Sequence, residues 1–174
     1  MSVVVGSGAR ARWLWLSFGV QAADRATKFA IERYTSPYFR YPVVSDILVL
    51  VHNQNPGIAF GVFSDLSSPW LAPALLLSSV LVIVGLAWLL LEGRVGGRLA
   101  QAGLALILGG AAGNALDRLI HGAVTDFVEI RLATFSWPAF NVADSAITIG
   151  AALVIVELVF GGRRRTDSAE RNHG

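Results

Sequence analysis

A handful of polar side chains lie in sequence too apolar to hold them without a reason. Asp24 and Lys28 stand four residues apart with the acid first, the better order for an i,i+4 pair on a helix. Such a pair is either a buried ion pair that orients its helix or a direct substrate contact. Asn114, Asp117 and Arg118 are spaced by three and four, so they share one helix face. They form a polar seam, anchor a helix end or line a cavity. Asn141 and Asp144 have the spacing of an N-cap and its N3 partner, which is a structural role. Asp126, in Thr125-Asp126-Phe127, reads by itself as an interfacial loop acid. The missing residue types narrow the chemistry. There is no cysteine, which removes thiolate nucleophiles, disulfides and Cys-zinc sites. The three histidines, His52, His121 and His173, are too scattered for a metal cluster. What remains is chemistry by Asp, Glu, Ser, Thr, Lys, Arg or Asn, with no metal or other cofactor expected.

The elements that must position these groups are apolar blocks. Of 174 residues, 54% are apolar and only 15% charged, against roughly 25% charged in ordinary globular domains. A core this small could not hide that much apolar surface, so a soluble monomer is excluded. Residues 70–91 and 99–116 carry no charge, and residues 141–160 carry only Asp144 and Glu157. Each is long enough to cross a hydrocarbon layer of ~30 Å. A further block runs from Trp13 to Arg33 with Asp24 and Lys28 inside it. Arg10 and Arg12 before an apolar run, followed by Val20-Gln21-Ala22, also resemble a cleavable secretory signal. A retained helix is preferred, because it gives Asp24 and Lys28 a use. The expected fold is an all-α membrane protein with four transmembrane helices at about 13–33, 69–91, 98–119 and 141–161. A small β-containing outer segment, 34–68, and a short amphipathic outer connection, 120–140, complete a single polytopic domain, 1–161. Residues 43–51 read as a strand and Asn53-Gln54-Asn55-Pro56-Gly57 as a turn. The basic tail, 162–174, is expected to be disordered.

Arginines set the orientation. The N-terminus, the 92–98 loop and the C-terminus together hold eight of the 14 basic residues, and four spans put all three on one side. That side is expected to be cytoplasmic, with both termini there. The tryptophans fall near span ends, where such rings sit at the headgroups. Asp24, Lys28, Asn55, Asn114, Asp117, Arg118, Asp126, Asn141 and Asp144 then all fall in the outer half or outside. This sorting points to one site near the outer leaflet. The net charge of +2 gives no field for nucleic acid.

Five blocks carry a resemblance. They are Asp24-Arg25-Ala26-Thr27-Lys28; Asn55-Pro56-Gly57-Ile58-Ala59-Phe60-Gly61; Gly113-Asn114-Ala115-Leu116-Asp117-Arg118; Gly122-Ala123-Val124-Thr125-Asp126-Phe127; and Phe140-Asn141-Val142-Ala143-Asp144-Ser145. In order and spacing the chain resembles lipoprotein signal peptidase (signal peptidase II), the bacterial membrane aspartic protease family, over residues 13–161. It differs in having Arg25 where the family has Gln, and Ile58 where the family has Ala. The resemblance implies that Asp126 and Asp144 are the catalytic pair. It implies that Asn55, Gly57, Asn114, Arg118 and Asn141 position the substrate or the pair, with Asp117 beside them, and that Asp24 and Lys28 support the site from the first helix. It implies a bacterial inner-membrane protein, expected as a monomer, that cuts diacylglyceryl-modified prolipoproteins just before the lipidated cysteine. Globomycin-type peptides are the implied inhibitors, and membrane lipids the surroundings.

The physics of two carboxylates fits that implication. At ~4 Å they repel by ~4 kcal/mol at an effective dielectric of ~20, about three pKa units. One proton is then shared, which leaves one base to activate water and one acid to protonate the carbonyl. Lipid chains can stay in the bilayer if the site opens sideways, since extraction costs ~0.8 kcal/mol per CH₂. The alternative is an ion- or proton-coupled transporter subunit, which predicts acids along a path through the bilayer and often a repeated half. A non-enzymatic scaffold is the third reading.

Overall fold

A computed structural model describes residues 7–45, 47–57, 70–92, 95–132 and 134–171, apart from the side chains of 7–10, Ala72 and 162–171. Four helices and four strands follow in the order α1 (Ser7–Tyr34), β1 (Arg40–Val44), β2 (Leu48–Asn55), α2 (Leu71–Glu92), α3 (Arg98–His121), β3 (Val124–Leu132), β4 (Phe135–Phe140) and α4 (Val142–Arg171). The second half of the Asn55–Gly61 block, Pro69 at the expected start of the second span, and Arg94 lie outside the described residues.

Helix α3 is the hub, packed against α1, α2 and α4. Its small residues let neighbouring backbones come close, which is how membrane helices gain contact without a hydrophobic drive between them. A Cβ at Gly103 would lie 2.5 Å from the Gly150 carbonyl oxygen, and one at Gly150 would lie 2.5 Å from that of Gly103. Gly110 and Gly109 meet the carbonyls of Ala143 and Ser17 at the same distance. The end of the bundle away from the strands closes on Leu90, Leu104, Ala105 and Leu108. There the Trp13 indole N–H donates to Gln101 Oε1 at 2.7 Å.

Among the described residues, three helices are long and apolar enough to cross a membrane: α2 over Pro73–Glu92, α3 over Arg98–His121 and α4 over Val142–Gly161. Leu77, Leu81 and Val84 on α2 are each 60% or more exposed, an apolar face that water would not tolerate and lipid would cover. Helix α1 is long enough at 28 residues, but Asp24, Arg25, Lys28 and Glu32 lower its apolar character.

Several expectations need correction. The molecule is not all-α, because its strands form one antiparallel sheet in the order β1-β2-β3-β4. The expected strand 43–51 is a hairpin, turned at Ser45 with φ 38, since Ser45-Asp46 interrupts two runs of apolar residues. The expected turn begins late: Asn53, Gln54 and Asn55 remain in β2, paired with Asp126, Thr125 and Val124, and only Pro56 ends the ladder. Here strand pairing outweighs the turn preference of asparagine. The connection 120–140 is not an amphipathic turn but the β3–β4 hairpin. Helix α4 continues to Arg171 through the tail expected to be disordered, because extending a formed helix avoids the cost of a new nucleus.

Candidate active site

Helix α3 ends at Gly122, whose φ of 74 and N–H bond to the Arg118 carbonyl at 3.0 Å turn the chain directly into β3. That reversal sets Asp126 beside the last turn of α3 and the first turn of α4. Asn55 arrives from the end of β2, and Asp24 and Lys28 arrive from α1. The polar residues of three helices and two strands thus meet at one end of the bundle.

Asn141 is the link between the two aspartates. Its Nδ2 donates to Asp126 Oδ1 at 2.7 Å, and its Oδ1 accepts the Asp144 N–H at 2.9 Å. Asp144 Oδ2 in turn accepts the Asn141 N–H at 3.3 Å, so the capping box expected from the spacing is formed. The capping role and the link to Asp126 use different atoms of one amide. Asp126 is 2% exposed and also accepts from Asn55 Nδ2 at 3.0 Å. Asp144 Oδ1 accepts from Asn114 Nδ2 at 2.9 Å. Burial, and after it the neighbouring Asp144 carboxylate, push the Asp126 carboxyl from 3.8 up to about 7, against hydrogen bonds from Asn55 and Asn141 and the charge of Lys28.

Lys28 is fully buried, with its ammonium 2.8 Å from Asp24 Oδ2, 2.9 Å from Asp117 Oδ2 and 2.9 Å from Asn114 Oδ1. The i,i+4 pair of α1 is therefore an internal ion pair and not a surface for substrate. Lys28 also decides how Asn114 stands: a donor on its oxygen leaves its nitrogen for Asp144. Asp24 Oδ1 accepts the Ala143 N–H at 2.8 Å and so caps α4 from another helix. Arg118 donates to the Gly57 carbonyl at 2.8 Å, which ties the loop after β2 to α3. Its Nε is buried with no hydrogen-bond partner among the described residues.

The sequence reading did not single out Glu32, Thr125 or Arg25 as site residues. Arg25 hydrogen-bonds Glu32 and, at 3.0 Å, Asp117. Thr125 is fully buried, with its N–H on Asp117 Oδ2 at 3.1 Å and its hydroxyl on Glu32 Oε1 at 2.8 Å. A signal existed on α1, where Arg25, Lys28 and Glu32 at i, i+3 and i+7 share a face. Glu32, Asp117 and His121 bring ligand atoms within 4.8 Å of one another. Arg25 and Lys28 already fill that position with fixed positive charge, so the set does not suit a metal ion.

Asp144 borders two cavities. One of about 450 Å³ lies between the β3–β4 hairpin and α4, lined by Ile130, Leu132, Trp137, Phe140 and Thr148. The other, about 210 Å³, lies among α2, α3 and α4, lined by Ser78, Val82, Asn114, Arg118 and Ile147. A buried carboxyl poised near neutrality, a second one held by amide donors, and an apolar cavity beside Asp144 suit acid–base attack on a substrate that is partly apolar.

A family model described as signal peptidase (SPase) II matches residues 16–160. The lipoprotein signal peptidase of Solibacter usitatus is 38% identical over 149 residues, covering 83% of this chain and 91% of that protein. The lipoprotein signal peptidase of Burkholderia cenocepacia is 43% identical over 153 residues, covering 87% and 89%. A bacterial membrane enzyme solved by the in meso method at 2.3 Å resolution superposes with a TM-score of 0.75 at 26% identity, over 86% of this chain and 88% of that one.

Proposed function

From the premise that the chain belongs to the signal peptidase II family and removes signal peptides from prolipoproteins, we propose that it does so as an aspartic endopeptidase with Asp126 and Asp144 as the reacting carboxylates. The observation that carries this reading is the Asn141 amide shared between the two carboxylates, with the Asp126 carboxyl pushed by burial up to about 7. Asp144, which receives N–H donors from Asn114 and Asn141, is the base. It takes a proton from water as the water oxygen bonds to the scissile carbonyl carbon. Asp126 gives its proton to the carbonyl oxygen. The tetrahedral gem-diol then collapses: one hydroxyl returns its proton to Asp126 as the C=O bond re-forms, the C–N bond breaks and the amine leaves with the proton held by Asp144. Asn55, Asn114 and Asn141 keep the two carboxyl groups apart in role. Asp24, Lys28, Asp117 and Arg118 hold those amides and the Gly57 loop in place.

The substrate is a diacylglyceryl-modified prolipoprotein, cut before its lipidated cysteine, with globomycin-type peptides as inhibitors. The apolar cavity beside Asp144 supports a substrate that keeps its lipid in the bilayer. The protein is a monomer of the bacterial inner membrane, crossed by α1 as well as by the three apolar helices. Both termini face the cytoplasm and the carboxylates lie near the outer leaflet. The gathering of polar groups at one end of the bundle argues against a transport path, and the named relatives give the transporter reading no support. Cleavage of a lipidated prolipoprotein peptide in detergent tests the proposal. Asp126→Asn and Asp144→Asn should each abolish cleavage, the double variant should be no worse than either, and near-full turnover by either single variant would overturn it.

A further inference from the structure

Thr125 stands next to Asp126 with every polar atom engaged. Its N–H donates to Asp117 on α3 at 3.1 Å, and its hydroxyl donates to Glu32 on α1 at 2.8 Å. The hydroxyl oxygen accepts from Gln54 Nε2 on β2 at 3.1 Å, and the carbonyl accepts from Asn141 Nδ2 at 3.3 Å. Arg25 closes the circuit, with hydrogen bonds to both Glu32 and Asp117. Arg25, Glu32, Thr125 and Asp117 therefore form a ring across α1, α3 and β3. Thr125 and Asp117 are fully buried, so their bonds are not exchanged for bulk water without opening the packing.

Successive side chains of a strand point to opposite faces. Thr125 faces Glu32 of α1 and Asp117 of α3, so Asp126 leaves the backbone on the other side, toward Asn55 and the Asn141 cap of α4. Movement of the Thr125 backbone along or across the strand carries the Asp126 carboxyl with it. We infer that Thr125 is the positioning residue of Asp126: the ring anchors β3 against α1 and α3 and thereby fixes where that carboxyl stands relative to Asp144. The inference rests on the reading of Asp126 as a reacting carboxylate. Glu32 and Arg25 act through Thr125 and do not touch substrate. The arrangement departs from a merely buried threonine, whose hydroxyl would need one partner. This one has two, on different elements, and its main-chain N–H is held by the Asp117 side chain of α3.

The test is Thr125→Val, which keeps the β-branched shape and removes both hydroxyl bonds, assayed in detergent on a lipidated prolipoprotein peptide beside Thr125→Ser, Gln54→Met and Asp126→Asn. Thr125→Val should lower kcat by ~10- to 100-fold with KM changed less than about twofold, as expected for a misplaced reacting group. Looser packing admits water to Asp126, so the alkaline limb of the pH profile should move to lower pH. Thr125→Ser, which restores the hydroxyl, should recover kcat to within about threefold of wild type. Gln54→Met removes one tether only and reads the same quantities if Thr125→Val does not accumulate. It should shift the limb the same way with a fall in kcat of about two- to fivefold. Wild-type kcat and pH limb in Thr125→Val, or in Gln54→Met where that is the variant read, overturn the inference. So does a Thr125→Ser enzyme as slow as Thr125→Val. An active Asp126→Asn would instead overturn the dyad on which it rests.

Discussion

Asn141 donates to Asp126 and accepts from Asp144 with the two ends of one amide, 2.7 Å and 2.9 Å away. The two functions of this side chain can be separated. Asn141→Asp keeps the oxygen that caps α4, since Asp is as good an N-cap as Asn. It replaces the donor to Asp126 with a third carboxylate. Cleavage should fall by 100-fold or more while the thermal midpoint in detergent changes little, as checked by a peptide assay and an unfolding scan on the same preparation. Equal losses of stability and activity would mean that Asn141 is only a cap.

The pH profile should report Asp126. If this carboxyl supplies the proton, kcat/KM falls as pH rises through its value of about 7. The hydrogen bond from Asn55 lowers that value by favouring the charged form, so Asn55→Ala should let it rise and carry the alkaline limb to higher pH. A limb that does not move would assign the proton to the other aspartate, since Asp126 would then be ionised on both sides of it.

Gly103→Ala tests the helix crossing without touching the carboxylates. The added methyl would sit 2.5 Å from the Gly150 carbonyl, a backbone atom that cannot swing aside. A destabilisation of about 1–3 kcal/mol is expected, read as a lower unfolding midpoint. An unchanged midpoint would show that α3 and α4 can part freely.

Topology is open to single-cysteine labelling, because the chain has no native thiol. A cysteine at the exposed Ser136 of β4 should react with an impermeant thiol reagent from outside intact cells. One at Gly96, between α2 and α3, should react only after permeabilisation. The opposite pattern would invert the arginine argument.

The site was legible because its residues are anomalies. Asp24, Lys28, Asn114, Asp117 and Asp144 are costly in an apolar helix, and cost draws attention. Thr125 and Glu32 were invisible for the opposite reason. Threonine is ordinary in a strand and glutamate is ordinary at a helix end, and they acquire a role only when β3 docks on α1, 93 residues away in sequence. The sheet was half legible. The apolar runs on either side of Ser45 look like one strand until the turn is formed. The β3–β4 hairpin, with Trp137-Pro138 inside β4, depends on pairing that no local pattern states. The helical tail was misread because its composition was judged apart from the long helix it extends.

The bond from the Ala143 N–H to Asp24 joins residues 119 positions apart. Helix α1 thus completes the opening turn of α4. A nascent chain with three helices inserted owns Asp24, Lys28 and Asp126 but lacks Asn141 and Asp144. The hydrogen-bonded set around the two aspartates closes only when α4 docks, because Asn141 and Asp144 arrive with it.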